Sequence, residues 1–136
     1  MKSTKLLGIW MDHSIAHLIE LPNQNNQSTT IESHSMSEDD EINTKDETLL
    51  QNKEQNYLSN YFKKINEVII NYDDVLLFGP TDAKTELFNL IDSDHHFDRI
   101  KIEVKSADKM TENQMQAFVK DHFKSLNKYS ERKKND

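Results

Sequence analysis

The longest uninterrupted apolar run of the middle of the chain extends from Val75 to Phe78. A run this short predicts a strand that is buried on both faces of a sheet. Gly79 and Pro80 follow it, and proline ends a sheet ladder because it has no N–H to donate. Apolar residues then return at helical spacing, at Ala83, Leu87, Leu90 and Ile91. The pattern predicts a central strand, a tight turn and a helix.

Three strands are predicted ahead of the first helix. Residues 5–11 and 15–21 lie so close together that they form a hairpin around Asp12 and His13, and they are therefore antiparallel. A weaker alternation that includes β-branched residues predicts a third strand over residues 28–34. Residues 35–46 are polar and acidic, and we expect them to form a mobile loop.

The second half of the chain alternates helices with strands. A capping box at Thr44 and Glu47 precedes an apolar helical stripe that continues to about Asn71. Residues 100–104 alternate apolar and charged side chains, which predicts a half-exposed strand. A second capping box, Thr111-x-x-Gln114, precedes the last helix.

The resulting order is β-β-β-α-β-α-β-α. Strands that are joined by a helix should pair in parallel, whereas the first three strands are antiparallel. This order predicts an α/β fold with a ribonuclease H-like mixed sheet and helices on both faces. In that arrangement we expect Leu77 and Phe88 to be buried against the first and last helices.

Length and composition limit the classes of protein that need to be considered. A chain of 136 residues indicates one domain, which we place at residues 1–128. The absence of cysteine excludes disulfides and thiolate metal sites and fits a reducing compartment. The apolar run at residues 6–11 is too short for a signal peptide or a membrane span. We therefore expect a cytoplasmic protein without membrane contact.

Charge is distributed unevenly along the chain. The net charge of −7 disfavours broad, non-specific binding to nucleic acid. Acidic residues concentrate in residues 31–47. The basic residues near the end of the chain predict that residues 129–136 form a basic, disordered tail. The simpler interpretation is that both segments are merely solvated. If the protein binds RNA, the side chains that we expect to contact phosphates are Lys128, Arg132, Lys133 and Lys134.

The turn after the central strand is a candidate anion site. Free N–H groups at a helix N-terminus attract anions, and a lysine lies in the first turn of the predicted helix. The spacing does not match a phosphate-binding loop, which needs a second glycine before its lysine. A purely structural turn is the alternative. The candidate residues are Gly79, Thr81, Lys84 and Thr85.

Metal-dependent chemistry has weaker support in the sequence. Asp12 ends the first strand and Asp82 follows the central strand, and a nuclease with two Mg²⁺ ions needs converging carboxylates of this kind. Glu54 is a weaker third candidate. However, Asp12-His13 is also ordinary turn chemistry, and none of the six histidines has zinc-site spacing. We assign no metal and no cofactor.

Several aromatic side chains have two interpretations. Trp10, Tyr57 and Tyr61 are of the type that stacks on nucleic-acid bases. Trp10 lies in a predicted strand, however, and the tyrosines lie in or beside the apolar stripe of the first helix, which favours packing in the core. His122 falls on the apolar face of the last helix, and we expect it to be a core histidine.

Three motifs, in this order and spacing, resemble a known family. The chain is similar to small stand-alone bacterial proteins known as translational machinery proteins, and to the central domain of archaeal and eukaryotic peptide-chain release factors and of Pelota. The resemblance covers most of residues 5–126 and implies a role in translation. The motifs are Ile9-Trp10-Met11-Asp12-His13-x-x-Ala16, Gly79-Pro80-x-x-Ala83-Lys84-Thr85-Glu86-Leu87 and Met110-Thr111-x-x-Gln114.

The release factors' catalytic Gly-Gly-Gln motif has no counterpart in this chain. In that family it lies between the early strands and the first long helix, whereas the only glycines here are Gly8 and Gly79. Pelota lacks the motif as well. The resemblance therefore implies a non-enzymatic protein that contacts the ribosome or a translation factor without releasing peptide. A magnesium-dependent nuclease and a protein-interaction or stress-response module unrelated to ribosomes remain alternatives.

Overall fold

The predicted order of helices and strands is confirmed. The structure is a computed structural model that describes residues 5–21, 29–33 and 47–126, with side chains of the first helix described from residue 57 onward. A short 3₁₀ helix, His95–Phe97, lies in the connection that precedes the last strand. The elements are β1 (Leu6–Met11), β2 (Ile15–Leu21), β3 (Thr29–Glu32), α1 (Glu47–Ile69), β4 (Asp74–Gly79), α2 (Ala83–Asp92), β5 (Lys101–Ser106) and α3 (Glu112–Ser125).

The five strands form one mixed sheet in the order β3-β2-β1-β4-β5. β1 pairs antiparallel with β2 and parallel with β4, and β2 pairs antiparallel with β3. β4 pairs in parallel with β5. This confirms the α/β class, the hairpin and the parallel crossovers. The more specific ribonuclease H-like assignment stays a prediction.

Two apolar cores cover the two faces of the sheet. The larger core joins β1, β2 and β4 to α1 and α2. The smaller one lies on the opposite face and joins the same strands to Met115, Val119 and Phe123 of α3. Residues of β4 alternate between the cores, with Leu77 in the larger and Phe78 in the smaller. β4 is therefore buried on both faces, as its apolar run predicts.

One part of the packing prediction is wrong. Leu77 is fully buried, but it packs on the face covered by α1 and α2, whereas α3 lies on the other face. Phe88 is only partly buried at the margin of the larger core. The error arises because helical spacing shows which side of α2 is apolar but does not show which other helices share that face of the sheet.

Some predicted boundaries shift, and some lie outside the described residues. The strand predicted over residues 28–34 is β3, which ends at Glu32, and α1 ends at Ile69 rather than near Asn71. The capping box at the start of α3 is confirmed, because Thr111 and Gln114 exchange both hydrogen bonds. Thr44 of the other box, the predicted acidic loop (35–46) and the predicted basic tail (129–136) are outside the described residues. The single-domain boundary at residue 128 stays a prediction.

Candidate functional site

The carboxyl ends of β1 and β4 lie side by side and define the candidate site. The two strands are parallel neighbours, and Trp10 pairs with Phe78 near their ends. The Asp12-His13 turn leaves β1 at the same edge at which the turn at Gly79 leaves β4. Ligands of open α/β sheets bind at this edge of parallel strands. The structure thus brings together the hairpin turn and the start of α2, which are about seventy residues apart in sequence.

Gly79 fixes how closely the two turns approach each other. Its φ of 149° is a backbone conformation that favours glycine. A Cβ atom at this position would lie 2.1 Å from the carbonyl oxygen of Met11, which is too close for any side chain. The glycine is therefore needed both for the turn and for the contact of its backbone with β1.

Asp12 stabilises the β1–β2 turn. Its Oδ1 accepts hydrogen bonds from the backbone N–H groups of Ser14 at 2.8 Å and Ile15 at 2.9 Å. Its backbone carbonyl accepts a hydrogen bond from the Tyr61 hydroxyl at 2.8 Å. Burial, with a smaller contribution from the Asp12 charge, raises the pKa of Tyr61 far above its ordinary value, so the phenol stays a donor. These contacts give Asp12 the structural role of a turn residue.

A second contact joins the hairpin turn to α2. The Nε2 atom of His13 lies 3.2 Å from Oε1 of Glu86. Both side chains are substantially exposed, and exposed pairs of this kind contribute about 0–1 kcal/mol to stability. The pair nevertheless shows that the turn after β1 and the first turns of α2 form one surface.

The candidate anion-binding residues make contacts within their own turn. The Thr81 hydroxyl accepts a hydrogen bond from the Ala83 N–H at 3.2 Å. Lys84 is only 5% exposed, and its ammonium group donates to the Thr81 carbonyl. Thr85 is exposed on α2. These contacts stabilise the turn, and the use of Gly79, Thr81, Lys84 and Thr85 as an anion site stays a prediction.

The candidate carboxylates for a metal are placed as follows. Asp12 lies in the hairpin turn, and Asp82 is the exposed N-cap residue of α2, without a side-chain capping bond. The side chain of Glu54 is outside the described residues. Among the described side chains, which are those of residues 5–21, 29–33 and 57–126, no three histidines, aspartates or glutamates form a group that could hold a metal ion.

Trp10 and Tyr61 are core residues, as their positions in the pattern predict. Both are buried, Trp10 in the smaller core and Tyr61 in the larger. The Trp10 indole N–H donates to the carbonyl of Asp108 at 3.3 Å. Tyr57 is half-buried on α1. Buried rings cannot stack on bases, so the stacking interpretation of Trp10 and Tyr61 is wrong.

His122 is a buried histidine between α3 and the sheet. It is 4% exposed, and its Nε2 lies 3.3 Å from Oε1 of Glu103 on β5. Its Nδ1 has no hydrogen-bond partner among the described residues. Burial lowers the pKa of His122, and the positive charge of Lys105 lowers it further, while Glu103 and Asp74 partly oppose this. The net effect favours the neutral form of the ring.

We expect this histidine to make the protein less stable in acid. The ordinary pKa of the unfolded chain is 6.5 and the folded pKa is lower, so the unfolded state binds more protons in the interval between the two values. The free energy of unfolding should fall as the pH decreases through that interval. Urea denaturation at a series of pH values measures the free energy of unfolding. Its change with pH should be smaller for His122→Gln than for the unchanged protein. The matched control is His95→Gln, because His95 is 96% exposed; equal slopes for all three proteins would contradict the assignment.

The candidate RNA contacts cannot be placed in the fold. Lys128, Arg132, Lys133 and Lys134 are outside the described residues, so their role stays a prediction. No helix in the described ranges combines the length and the apolar character needed to cross a membrane.

Comparisons with known proteins support the resemblance at the level of fold. No protein-family model and no curated protein matches the chain. Solved structures do match, and they include the Pelota protein of Thermoplasma acidophilum, with a TM-score of 0.52 and 13% identity, and an archaeal translation termination factor, aRF1, with a TM-score of 0.50 and 14% identity. The match with Pelota covers 93% of this chain and 33% of the Pelota chain. The match with aRF1 covers 90% of this chain and 40% of the aRF1 chain. The chain is thus similar in fold to one part of each protein, and the predicted resemblance to Pelota and the release factors is confirmed at the level of fold. The resemblance to small stand-alone bacterial proteins stays a prediction.

Proposed function

We propose that this protein is a non-enzymatic, translation-associated protein that contacts the ribosome or a translation factor in the cytoplasm. The observation that supports the proposal is its similarity in fold, over at least 90% of the chain, to parts of Pelota and of a translation termination factor. The motifs at residues 9–16, 79–87 and 110–114, which are compatible with that family, lie in β1 and its turn, in the turn into α2 and at the start of α3.

The candidate site fits a binding surface better than a catalytic one. Asp12, Thr81 and Lys84 are all engaged in hydrogen bonds of their own turns. The side chains exposed at this edge include His13, Asp82, Thr85 and Glu86, which are polar. Such a surface suits contact with a macromolecule through several weak polar interactions.

We expect the protein to have no peptide-release activity. Glycine is what allows the release factors' catalytic loop to take up unusual backbone conformations, and the chain has no Gly-Gly-Gln. In an assay with ribosomes that carry labelled peptidyl-tRNA, added protein should release no more label than buffer does. A true release factor serves as the positive control. Release above the buffer level would contradict this part of the proposal.

If the ribosomal contact is made with RNA, we expect Lys128 and the basic tail to supply it. Each phosphate that a cation neutralises lowers log K by roughly 0.7 to 0.9 per log unit of salt, so four cations give a slope of about −3. Replacing Lys128, Arg132, Lys133 and Lys134 by glutamine should flatten the salt dependence of binding to purified ribosomes, measured by pelleting.

A matched control separates this contact from a general effect of charge. Glutamine at four exposed lysines elsewhere, Lys5, Lys63, Lys101 and Lys109, changes the net charge by the same amount. This control should keep the steep salt dependence. If the two variants and the unchanged protein bind equally at every salt concentration, the tail is not the contact.

A further inference from the structure

Among the strands that the structure describes, the two at the edges of the sheet are protected to different degrees. An exposed edge strand can pair with another chain, and charged side chains are a common protection against this. β5 carries Lys101, Glu103 and Lys105 at alternate positions along one edge. β3, Thr-Thr-Ile-Glu at the other edge, has β-branched residues and a single charge at its end. β3 is therefore the edge that is suited to pairing.

The hydrogen bonds of β3 show which of its groups point outward. The Ser33 N–H donates to the Ser14 carbonyl at 2.9 Å, toward β2. Backbone groups alternate in direction along an antiparallel strand. In the register in which Thr30 pairs with His17, the Ile31 N–H points toward β2, and the N–H and C=O groups of Thr30 and Glu32 point away from the sheet.

One face of α1 borders this edge and forms a groove with it. The groove has a volume of about 330 Å³. Its lining repeats at helical spacing along α1, from Tyr57 to Glu67, and includes Glu32 on the strand. The charged side chains of the lining are two acids, Glu32 and Glu67, and two bases, Lys63 and Lys64.

We propose that this edge of the sheet pairs with the same edge of a second copy of the chain, so that β3 lies antiparallel to β3 of its partner and the two grooves lie next to each other. A two-fold axis through Ile31 would place Thr30 opposite the partner's Glu32. The two residues of this pair would exchange both of their backbone N–H···O hydrogen bonds, and the symmetry-related pair would do the same. The axis is perpendicular to the sheet, so both α1 helices lie on the same face and run antiparallel.

The charges favour a second copy over an unrelated partner. In a two-fold interface the same patch of both copies makes the contact, so each charge meets a residue of that same patch on the other copy. The patch must therefore be complementary to itself. The described part of the lining, with equal numbers of acids and bases, is compatible with this requirement, whereas a strongly acidic or basic partner would gain no attraction from it. The proposal is independent of any contact with the ribosome.

Sedimentation velocity of the full chain tests the proposal. The mass should approach twice 16.0 kDa as the protein concentration rises. Thr30→Pro removes an outward N–H and leaves the bonds to β2 in place, which proline at an edge strand permits. It should weaken the dimer about tenfold or more, because two inter-strand hydrogen bonds are lost by symmetry. Thr30→Val, which keeps the N–H, should still dimerise. A monomer at every concentration, or a Thr30→Pro dimer as tight as the original, would overturn the proposal.

Amide hydrogen exchange of the unchanged protein gives a second test that needs no variant to fold. The Thr30 and Glu32 amides should become more protected as the concentration rises. The Ile31 amide, which points toward β2, should be protected at both low and high concentration and serves as the internal control. A dimer in which the Thr30 and Glu32 amides exchange as fast as in the monomer would place the interface elsewhere and overturn the proposal.

Discussion

Replacing Leu77 by alanine should lower the free energy of unfolding by about 2–5 kcal/mol, the range for a fully buried leucine. Leu77 is 0% exposed in the middle of β4 and belongs to the larger core, which α1 and α2 cover. Strands lie on both sides of β4, so the backbone has little freedom to close the cavity. Urea denaturation, followed by circular dichroism, measures the change.

The matched control is a leucine of the neighbouring helix α2. Leu90 is 50% exposed on α2, and exposed positions usually change stability by no more than about 0.5 kcal/mol. Leu90→Ala should therefore unfold at nearly the same urea concentration as the unchanged protein. If Leu77→Ala and Leu90→Ala were equally stable, β4 would not be an interior strand that is buried on both faces of the sheet.

Gly79→Ala should be comparably damaging, with an expected loss of about 2–5 kcal/mol. A non-glycine residue in a rare backbone conformation costs about 1–3 kcal/mol, and overpacking costs about as much again. Here the added Cβ would meet the Met11 carbonyl at 2.1 Å with φ at 149°. Because the obstacle is backbone, no truncation of a neighbouring side chain can relieve it.

Gly8 is the matched control for this prediction. A Cβ at Gly8 would lie 2.2 Å from Cγ2 of Val119, which is a side-chain atom of α3. Gly8→Ala should destabilise the protein, and most of that loss should disappear in a Val119→Ala background, measured as a double-mutant cycle. Gly79→Ala should show no such rescue. A Gly79→Ala protein as stable as the original would contradict the turn geometry.

The element order could be predicted because each element carries a local pattern. The run from Val75 to Phe78 is continuous since β4 is buried on both faces, and residues 101–105 alternate because β5 is covered on only one. The capping box at Thr111 and Gln114 is likewise a short-range feature. Parallel pairing then follows from the helical connections between strands.

Contacts between segments that are distant in sequence could not be predicted from such local patterns. The hydrogen bond from Tyr61 to the Asp12 carbonyl joins residues 49 positions apart, and the His13–Glu86 pair spans 73. The helical stripe indicated that Tyr61 is buried but gave no sign of its partner. The burial of Lys84 has no sequence signal either, since a lysine in the first turn of a helix is ordinarily exposed.

The sequence predicted where the candidate site lies, but it did not predict which chemical groups are available there. The Gly-Pro turn and Asp12 do meet at the carboxyl ends of β4 and β1. Which groups are left available there depends on hydrogen bonds within each turn, and these arise only when the chain is folded. Thr81 and Lys84 bond within the turn, a competition that residue spacing does not reveal.

The most direct test of the proposed function is the sedimentation of tagged full-length protein from a gently lysed cell on a sucrose gradient. We expect it to travel with ribosomal particles at low salt and to leave them when the salt is raised. A tagged Leu77→Ala variant is the control, because a contact that depends on the fold should weaken as this core is disrupted. Protein that stays at the top of the gradient, even at low salt and after crosslinking, would contradict association with the ribosome.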